Sequence, residues 1–522
     1  MTEPQDGGRR VASAAGLLAA SVLAARLLGF ARDALFAGQV GVGAAADAYF
    51  AAFMIPDILG YLLAAGAASV AVTPPYVRRL ERDGPEAAAR FAAVVVGNVG
   101  WLSIALTVVL WVAGEPLLRA QFGAFDEATL EETLRLMRIV LPAQIFFLTG
   151  GALRGVLMAH GVFWPQAAAS VVYSAMPIVG GLLWPGTDGF AWGTLLGAAV
   201  GQWAIPVVAL RRLPGAVGRM RAGPFDADFR EYVWLALPLM LGLGLTTVDE
   251  WYEKWVGARV APGAIAAITY ARKLMMAPVG VVGQAVGAAL LPSLTARHER
   301  GDVRGFDGLL TETLRTTLGL GLLAAAALGV LSLPLVRALY EHGEFGRANT
   351  LEVSRLLAVL ACAVPGWVVQ QVAVRGFYAR GEMWRAMTLS TVVALAAFPV
   401  YLQAARSGGI DGLAIASTGA ISVSAAITIG WLRLRSGAPD LGLLVATGLR
   451  TTVLATLAAL VTGLVLGLSE LVHGNAWLAL FVGAGVYGVV ALVGVRLFGD
   501  GPLRAGVERV LARLGRGAGR RS

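Results

Sequence analysis

The sequence contains little charge and almost no lysine. Of its 522 residues, only 14% are charged and 57% are hydrophobic, whereas soluble domains contain about 25% charged residues. Of the 42 basic residues, only Lys254 and Lys273 are lysines, and both lie in apolar stretches. This composition excludes an ordinary soluble domain and indicates a protein that crosses a membrane many times.

Cysteine and histidine are also scarce. The sole cysteine, Cys362, excludes a disulfide within the chain and a cysteine-based metal site. The four histidines are not paired, and no Asp-rich metal motif is present. The sequence also has no large loop domain of the kind that would hold the donor substrate of a glycosyl- or phosphotransferase. Because no nucleophile and base are paired in the pattern, we expect a transporter rather than an enzyme, without cofactor or metal.

The net charge of +9 does not indicate nucleic-acid binding. The basic residues are spread over short segments between apolar runs, without the interleaved aromatic residues that stack on bases. Arginine in short loops is typical of membrane topology.

The apolar runs predict an all-α polytopic membrane protein. Each run is long enough to span the bilayer, which requires about 20 residues. The fourteen predicted spans are 11–37, 45–72, 91–113, 133–157, 162–184, 189–210, 231–257, 264–292, 310–337, 351–378, 383–405, 410–433, 443–468 and 475–498.

Alternate loops are basic, as in "YVRRLERDG" and "RRLPGAVGRMRAG", and the intervening loops are acidic or nearly neutral. This bias predicts that both termini are cytoplasmic. We expect two pseudo-symmetric six-helix lobes followed by two extra helices. The predicted division is an N-terminal lobe at 1–210, a cytoplasmic linker at 211–230, a C-terminal lobe at 231–437, two further spans within 438–500, and a basic amphipathic tail at 501–522.

Several charged residues fall inside the predicted spans. Charged groups in hydrocarbon cost roughly 2.5–3.5 kcal/mol, so they normally face a partner or a water-filled cavity. The first span contains Arg26, Arg32 and Asp33, the second contains Asp47 and Asp57, and the eighth contains Arg272 and Lys273.

The seventh span ends in the charged stretch "TTVDEWYEKW", Thr246–Trp255. On a helix, Asp249, Glu250, Glu253 and Lys254 fall within an arc of about 140°, opposite the aromatic residues. Glu250 and Lys254 are also spaced as an i,i+4 ion pair. Two interpretations stay open: the charges line or rim a cavity, or they form an ordinary helix end at the outer interface.

Longer stretches of the chain resemble the MurJ/MviN lipid II flippases, within the wider multidrug/oligosaccharidyl-lipid/polysaccharide exporter superfamily. The matching stretches run in order to about residue 400. They include "RLLGFARDALFAGQVGVGAAADAYFAAFMIPDIL", "GGALRGVLMAHGVFWPQAA", "GAIAAITYARKLMMAPVGVVGQAVGAALLPSLTA", "LYEHGEFG" and "RGFYARGEMWRA".

The resemblance implies fourteen helices in two lobes around a cationic cavity. It implies that undecaprenyl-pyrophosphate-linked peptidoglycan precursor moves from the cytoplasmic to the periplasmic leaflet of the bacterial inner membrane. By this resemblance Arg26, Arg32, Arg272 and Lys273 are substrate-binding candidates. The candidates for cavity acids or ion coupling are Asp33, Asp47, Asp249, Glu250, Glu253 and Lys254. Arg272 stands where relatives often carry Asp or Asn.

Two departures from the family pattern bear on the substrate. Gly60, Tyr61 and Ala65 stand where relatives often carry Arg, Arg and Glu. A sodium site of the kind found in some relatives is not expected, because beside Asp249 the eleventh span offers only three hydroxyl side chains. The alternatives are therefore a flippase for another polyprenyl-linked oligosaccharide, a cation-coupled small-molecule exporter, or an inactive scaffold. The cationic residues of the spans argue against the transport of cationic drugs, which would require acidic residues at the site.

The expected partners are the polyprenyl-pyrophosphate-linked glycan and the lipid bilayer, with cell-wall synthesis proteins as candidates. We expect a monomer.

Overall fold

The computed structural model is helical, and it describes residues 4–62, 68–221, 223, 225–246, 248–468 and 474–508. No β-strand occurs within these residues. The helices up to residue 210 are α1 Pro4–Val40, α2 Ala44–Ala52, α3 Met54–Leu62, α4 Ala68–Arg82, α5 Pro85–Phe122, α6 Glu127–Val140, α7 Ala143–Ala159, α8 Trp164–Leu183, α9 Thr187–Gly197 and α10 Ile205–Leu210. The later helices are α11 Ala227–Thr246, α12 Val248–Gly257, α13 Ala264–Glu299, α14 Val303–Tyr340, α15 Arg347–Ala361, α16 Val364–Tyr378, α17 Met383–Ser436, α18 Leu441–Leu468 and α19 Ala476–Phe498.

These helices confirm the predicted fold class. One helix, or a series of consecutive helices, covers each of the fourteen predicted spans, apart from residues 63–67 and 247, which lie outside the described residues. Ten helical stretches of the described chain are long and apolar enough to cross a membrane. One of these, α17, contains two predicted spans. The chain is therefore an all-α, multi-pass membrane protein.

Contacts divide the chain into two compact units. Unit 1 comprises Met1–Ile265 and His342–Phe345, and unit 2 comprises Ala266–Glu341 and Gly346–Ser522. The boundaries drawn from the loop pattern, including the linker at 211–230 and the pseudo-symmetry of the two lobes, stay predictions.

The core of unit 1 lies where α4, α5 and α7 pack together. Tyr76, Phe91, Val95, Leu148 and Val156 are each at most 1% exposed. Small residues bring these helices close, which is the usual means of close packing in membranes.

The segment after α10 is docked on unit 1. The Gly218 N–H donates to the Ala89 carbonyl at 3.0 Å. Asn98 donates to the Gly223 carbonyl at 3.2 Å and accepts from the Gly223 N–H at 2.9 Å. A Cβ at Gly97 would lie 2.4 Å from the Arg221 carbonyl oxygen, so only glycine permits this approach.

An ion-pair cluster holds the start of α11 against the end of α4. Arg79 contacts Asp228 at 2.5 Å and Glu231 at 2.7 Å. Arg78 also contacts Glu231, at 2.5 Å. The region predicted as a linker is therefore fastened to unit 1 at Gly218, at Gly223 and at the start of α11.

The core of unit 2 is formed by α14, α16 and α17. Leu310, Leu314, Val372, Phe377 and Leu432 are fully buried in it.

A polar network joins α14 and α18 to the chain that follows α19. Arg315 contacts Asp500 at 2.7 Å, and the Thr447 hydroxyl donates to the same carboxylate oxygen. Residues 501–508 are helical, and Leu503 is buried against α14 at Gly319. The remainder of the predicted amphipathic tail, 509–522, lies outside the described residues.

The eleventh and twelfth spans meet at a single glycine. Gly409 adopts φ 58° and ψ −137°, and helical residues flank it on both sides within α17. The positive φ favours glycine. Beyond the bend the chain approaches itself closely, because a Cβ at Gly412 would lie 1.9 Å from the Ala404 carbonyl oxygen.

Candidate functional site

The first helix holds an ion pair within its membrane span. Arg32 donates from Nε and Nη2 to the same oxygen of Asp33, at 3.0 and 2.8 Å. Asp33 is buried, whereas the side chain of Arg32 keeps 28% of its surface exposed. Both residues belong to α1, so this pair does not fasten one helix to another.

Two tyrosines lie near this pair. Tyr49 of α2 and Tyr173 of α8 lie close enough to Arg32 to interact with it electrostatically. Tyr49 belongs to a buried aromatic cluster, with its ring centroid 4.5 Å from that of Phe36. Tyr173 packs edge-on against Phe147 at 4.9 Å. The guanidinium therefore lies in a confined, partly polar setting inside unit 1.

The charged stretch of the seventh span forms the predicted ion pair. In α12, Lys254 Nζ lies 2.9 Å from Glu250 Oε1. Glu253 is 1% exposed and Lys254 is 5% exposed, whereas Trp251 and Trp255 are half-buried. Only Glu253 and Lys254 are buried, because Glu250 keeps 40% of its side chain exposed and Asp249 is half-buried like the two tryptophans.

A second-span acid joins this group. Asp57 of α3 lies within electrostatic range of Lys254 and Glu250. It was not among the predicted site residues, although its place in an apolar span beside Pro56 was a signal in the sequence.

Asp47 makes a backbone contact. Its Oδ2 accepts the Gly263 N–H at 2.6 Å, and the residue is 1% exposed. This bond fixes the turn before α13. A role of Asp47 as a cavity acid stays a prediction.

The two basic residues of the eighth span differ in their surroundings. Arg272 is 7% exposed, donates to Ser417 Oγ at 3.2 Å and lies 6.0 Å from the Trp367 ring centroid. Lys273 is half-buried. Because adjacent residues on a helix are about 100° apart, Arg272 can pack inside unit 2 while Lys273 points in another direction.

Arg26 and Asp249 are half-buried, on α1 and in the first turn of α12. Arg26 and Arg32 belong to unit 1, whereas Lys273 belongs to unit 2.

Two of the hydroxyl groups considered for a sodium site bond within their own helix. In the described chain no group of three or more His, Cys, Asp or Glu side chains could hold a metal ion. In the eleventh span, the hydroxyls of Thr388 and Thr391 donate to backbone carbonyls of their own helix, each at 2.8 Å.

The departure at Gly60 has a packing partner. A Cβ at this position would lie 2.9 Å from Gln144 Oε1 of α7, so a larger residue would displace the glutamine. Ala65 and the side chain of Tyr61 lie outside the described part of the chain.

Comparisons with known proteins agree with this architecture. The family described as "Lipid II flippase MurJ" matches residues 36–486. A "Probable lipid II flippase MurJ" of Rhizobium tropici is 29% identical over 405 residues, covering 73% of this chain and 75% of the relative. A protein of the same name from Rhizobium meliloti (strain 1021) is 30% identical over 375 residues, covering 69% of each.

Solved structures share the fold. "Lipid II flippase MurJ, inward closed conformation" superposes with a TM-score of 0.76 at 20% identity, covering 92% of this chain and 99% of that one. An inward-facing MATE multidrug transporter of the MOP superfamily gives 0.70 at 18% identity, covering 79% and 94%.

The family match over most of the chain, together with this multi-pass helical fold, identifies a membrane transporter, not an enzyme. The family match then specifies the kind of transporter. The chain belongs to the MurJ family of lipid II flippases, whose transport serves peptidoglycan biosynthesis.

Proposed function

We propose that this chain moves undecaprenyl-pyrophosphate-linked peptidoglycan precursor, lipid II, from the cytoplasmic to the periplasmic leaflet by alternating access. The observation that carries the proposal is the partly exposed guanidinium of Arg32, which lies within the first span. A cation at this depth is costly unless it serves a ligand or a partner.

The hydrogen-bonding capacity of Arg32 supports an anion site. A guanidinium has five N–H donors in a rigid fork. Two of them go to Asp33, and the other three make no hydrogen bond within the described residues. Asp33 thereby fixes one edge of the group and leaves donors for a pyrophosphate oxygen. Arginine meets phosphate with this fork geometry, and lysine meets it as a point charge.

We assign the clamp to Arg26, Arg32 and Lys273. The two arginines come from the first span and the lysine from the eighth, and all three fall on basic positions of the family that the chain resembles. Arg272 is also a substrate-binding candidate, although its contact with Ser417 gives it a packing role as well.

We assign the stretch around Asp249, Glu250, Glu253 and Lys254 to the wall or rim of the cavity. The burial of Glu253 and the proximity of Asp57 favour this assignment over an ordinary helix end, where such groups would be hydrated.

The clamp is tested by transport in reconstituted vesicles. We expect Arg26→Ala, Arg32→Ala and Lys273→Ala to insert normally and to lose transport, because each lost charge-assisted contact costs roughly 1.5–3 kcal/mol, or about ten- to a hundredfold in binding. Lys273→Arg should keep much of its activity.

Arg211→Ala removes an exposed charge outside the spans and serves as the control. Wild-type transport by the three alanine variants would refute the clamp. Asp249→Asn and Glu253→Gln, assayed in the same way, should impair transport while protein levels stay normal.

A flippase for another polyprenyl-linked oligosaccharide is the second candidate. The packing of Gly60 against Gln144, where relatives often carry a charge, favours it. The same vesicles loaded with lipid II or with a polyprenyl-pyrophosphate carrying a different glycan distinguish the two substrates, because a selective transporter moves one and not the other.

We further propose a bacterial inner-membrane location, with both termini and the Arg211–Arg221 loop in the cytoplasm. The alternation of basic and acidic loops supports this topology. In a Cys362→Ala background, an impermeant maleimide added to spheroplasts should label Asp188→Cys and not Gly218→Cys. Labelling of Gly218→Cys from outside would overturn the orientation.

A further inference from the structure

A basic cavity lies in unit 1, away from the charged groups of the spans. It encloses about 690 Å³ and lies where the end of α4, the start of α5 and the end of α7 meet the segment after α10. Four arginines line it: Arg90, Arg212, Arg219 and Arg221.

The lining of this cavity carries more positive than negative charge. None of these four arginines forms an ion pair within the described residues, and the lining contains a single acid, Glu86. The neighbouring Arg79, by contrast, is paired with Asp228 and Glu231. The protein thus neutralises an arginine that fastens helices, and it leaves the four arginines around the cavity without an ion-pair partner among the described residues.

Hydrogen bonds fix one part of the cavity lining. Tyr76 is 1% exposed and donates its hydroxyl hydrogen to the Ala216 carbonyl at 3.0 Å. Since that hydrogen is used, His160 Nε2, 2.9 Å from the same hydroxyl, carries a hydrogen and donates to the Tyr76 oxygen. The bond from Tyr76 holds Ala216 of the docked segment against α4.

The wall that carries two of the arginines is held by backbone contacts. The Gly218 N–H bond to Ala89 precedes Arg219 and Arg221, and the Asn98 bonds to Gly223 follow them. Their main chain is therefore fixed against α5, so the guanidinium groups are presented from a defined surface rather than from a free loop.

We propose that this cavity is a binding site for a phosphate-bearing anion, and specifically for the headgroup of an anionic phospholipid. In the proposed topology, the helix ends that form this basic pocket lie at the cytoplasmic membrane face, where such pockets attract anionic headgroups. The apolar part of the lining, with Leu80, Pro85 and Leu213, suits the glycerol and the upper acyl chain. A soluble phosphate compound shares the anionic chemistry but has no apolar part to pack against this wall.

The full chain in phosphatidylcholine nanodiscs tests this site by titration with dihexanoyl-phosphatidylglycerol, dihexanoyl-phosphatidylcholine or inorganic phosphate. We expect saturable binding of the phosphatidylglycerol alone. Arg219→Gln/Arg221→Gln should weaken it at least tenfold, because each arginine near a membrane surface contributes about a fivefold effect. Glu86→Gln should tighten binding, since it removes the acid from the lining.

The matched control is Arg211→Gln/Arg230→Gln. Both arginines are exposed in the same region but do not line the cavity, and their replacement changes the net charge equally. Binding should stay within twofold of the original chain. Equal weakening by the two double variants would reduce the effect to diffuse charge and overturn the proposal.

The remaining outcomes are also decisive. Absence of phosphatidylglycerol binding, in protein that unfolds thermally as the original does, refutes the site. Binding of inorganic phosphate with the same sensitivity to Arg219→Gln/Arg221→Gln keeps the anion site and overturns the lipid as its ligand.

Discussion

Replacing Asn98 by alanine is expected to release the docked segment 218–223 while α5 stays folded. Asn98 is 5% exposed, and its side chain makes two hydrogen bonds to the Gly223 backbone, at 2.9 and 3.2 Å. A third bond, to the Val94 carbonyl, stays within the helix and does not hold the segment.

The magnitude follows from the two lost bonds. A hydrogen bond contributes about 1 kcal/mol net, so local opening of the segment becomes easier by about 2 kcal/mol. Each 1.4 kcal/mol is a factor of ten, so the open population should rise roughly thirtyfold. Global stability should change little, because local opening and global unfolding are separate equilibria.

Limited trypsin digestion measures this opening at two bonds, after Arg219 and after Arg221. Under mild digestion the cleavage rate follows the open population, and mass spectrometry of the fragments assigns each cut. Ser103→Ala is the control, because it removes a bond within α5, from Ser103 Oγ to the Gly100 carbonyl at 2.8 Å. A rise of less than threefold for Asn98→Ala in folded protein would show that the bonds to Gly223 do not hold the segment.

Two stability effects can be measured by thermal unfolding in detergent. Gly150→Ala should destabilise the chain by roughly 1–3 kcal/mol, because its Cβ would lie 1.8 Å from the Gln202 carbonyl oxygen. The control Gly100→Ala should be nearly neutral, because the nearest neighbour of its Cβ lies at 3.5 Å. Equal destabilisation by the two substitutions would contradict the clash. Burial opposes the charged form of Asp500, but hydrogen bonds, including one from Arg315, outweigh it and lower its pKa below the ordinary 3.8. Its stabilising contribution is therefore complete above pH 3.8 and is lost as the pH falls through the lowered value. Asp500→Asn should lower the melting temperature at pH 7 and lose this difference at strongly acid pH; a difference independent of pH would contradict the assignment.

Hydropathy predicted the spans well because each must bury about 20 apolar residues in lipid, whatever its partners. Hydropathy could not predict where the helical conformation changes within a span. The sixth span contains a π-helical segment, Ala198–Ala204, between α9 and α10. Its Gln202 carbonyl accepts from buried Arg154 at 3.0 Å, and this contact links residues 48 positions apart. Composition at either position does not reveal it.

The charged candidates show a similar limit. The Glu250–Lys254 pair follows from helical spacing, so sequence alone predicts it. The contact between Arg272 and Ser417 joins α13 to α17 across 145 positions and depends on tertiary packing. The sequence also did not predict that the segment after α10 docks on α5. A Gly/Pro/Arg-rich stretch is typical of a linker, and the residues that anchor it, Gly97 and Asn98, lie in another span.

The joint at Gly409 has a consequence for biogenesis. The eleventh and twelfth spans have no loop between them that could wait outside the bilayer while the first one inserts. They must therefore enter the membrane together, as one helical hairpin folded tightly at Gly412 against Ala404. For the same reason this turn cannot take an inserted tag or a longer connection without separating the two arms, unlike the longer loops elsewhere in the chain.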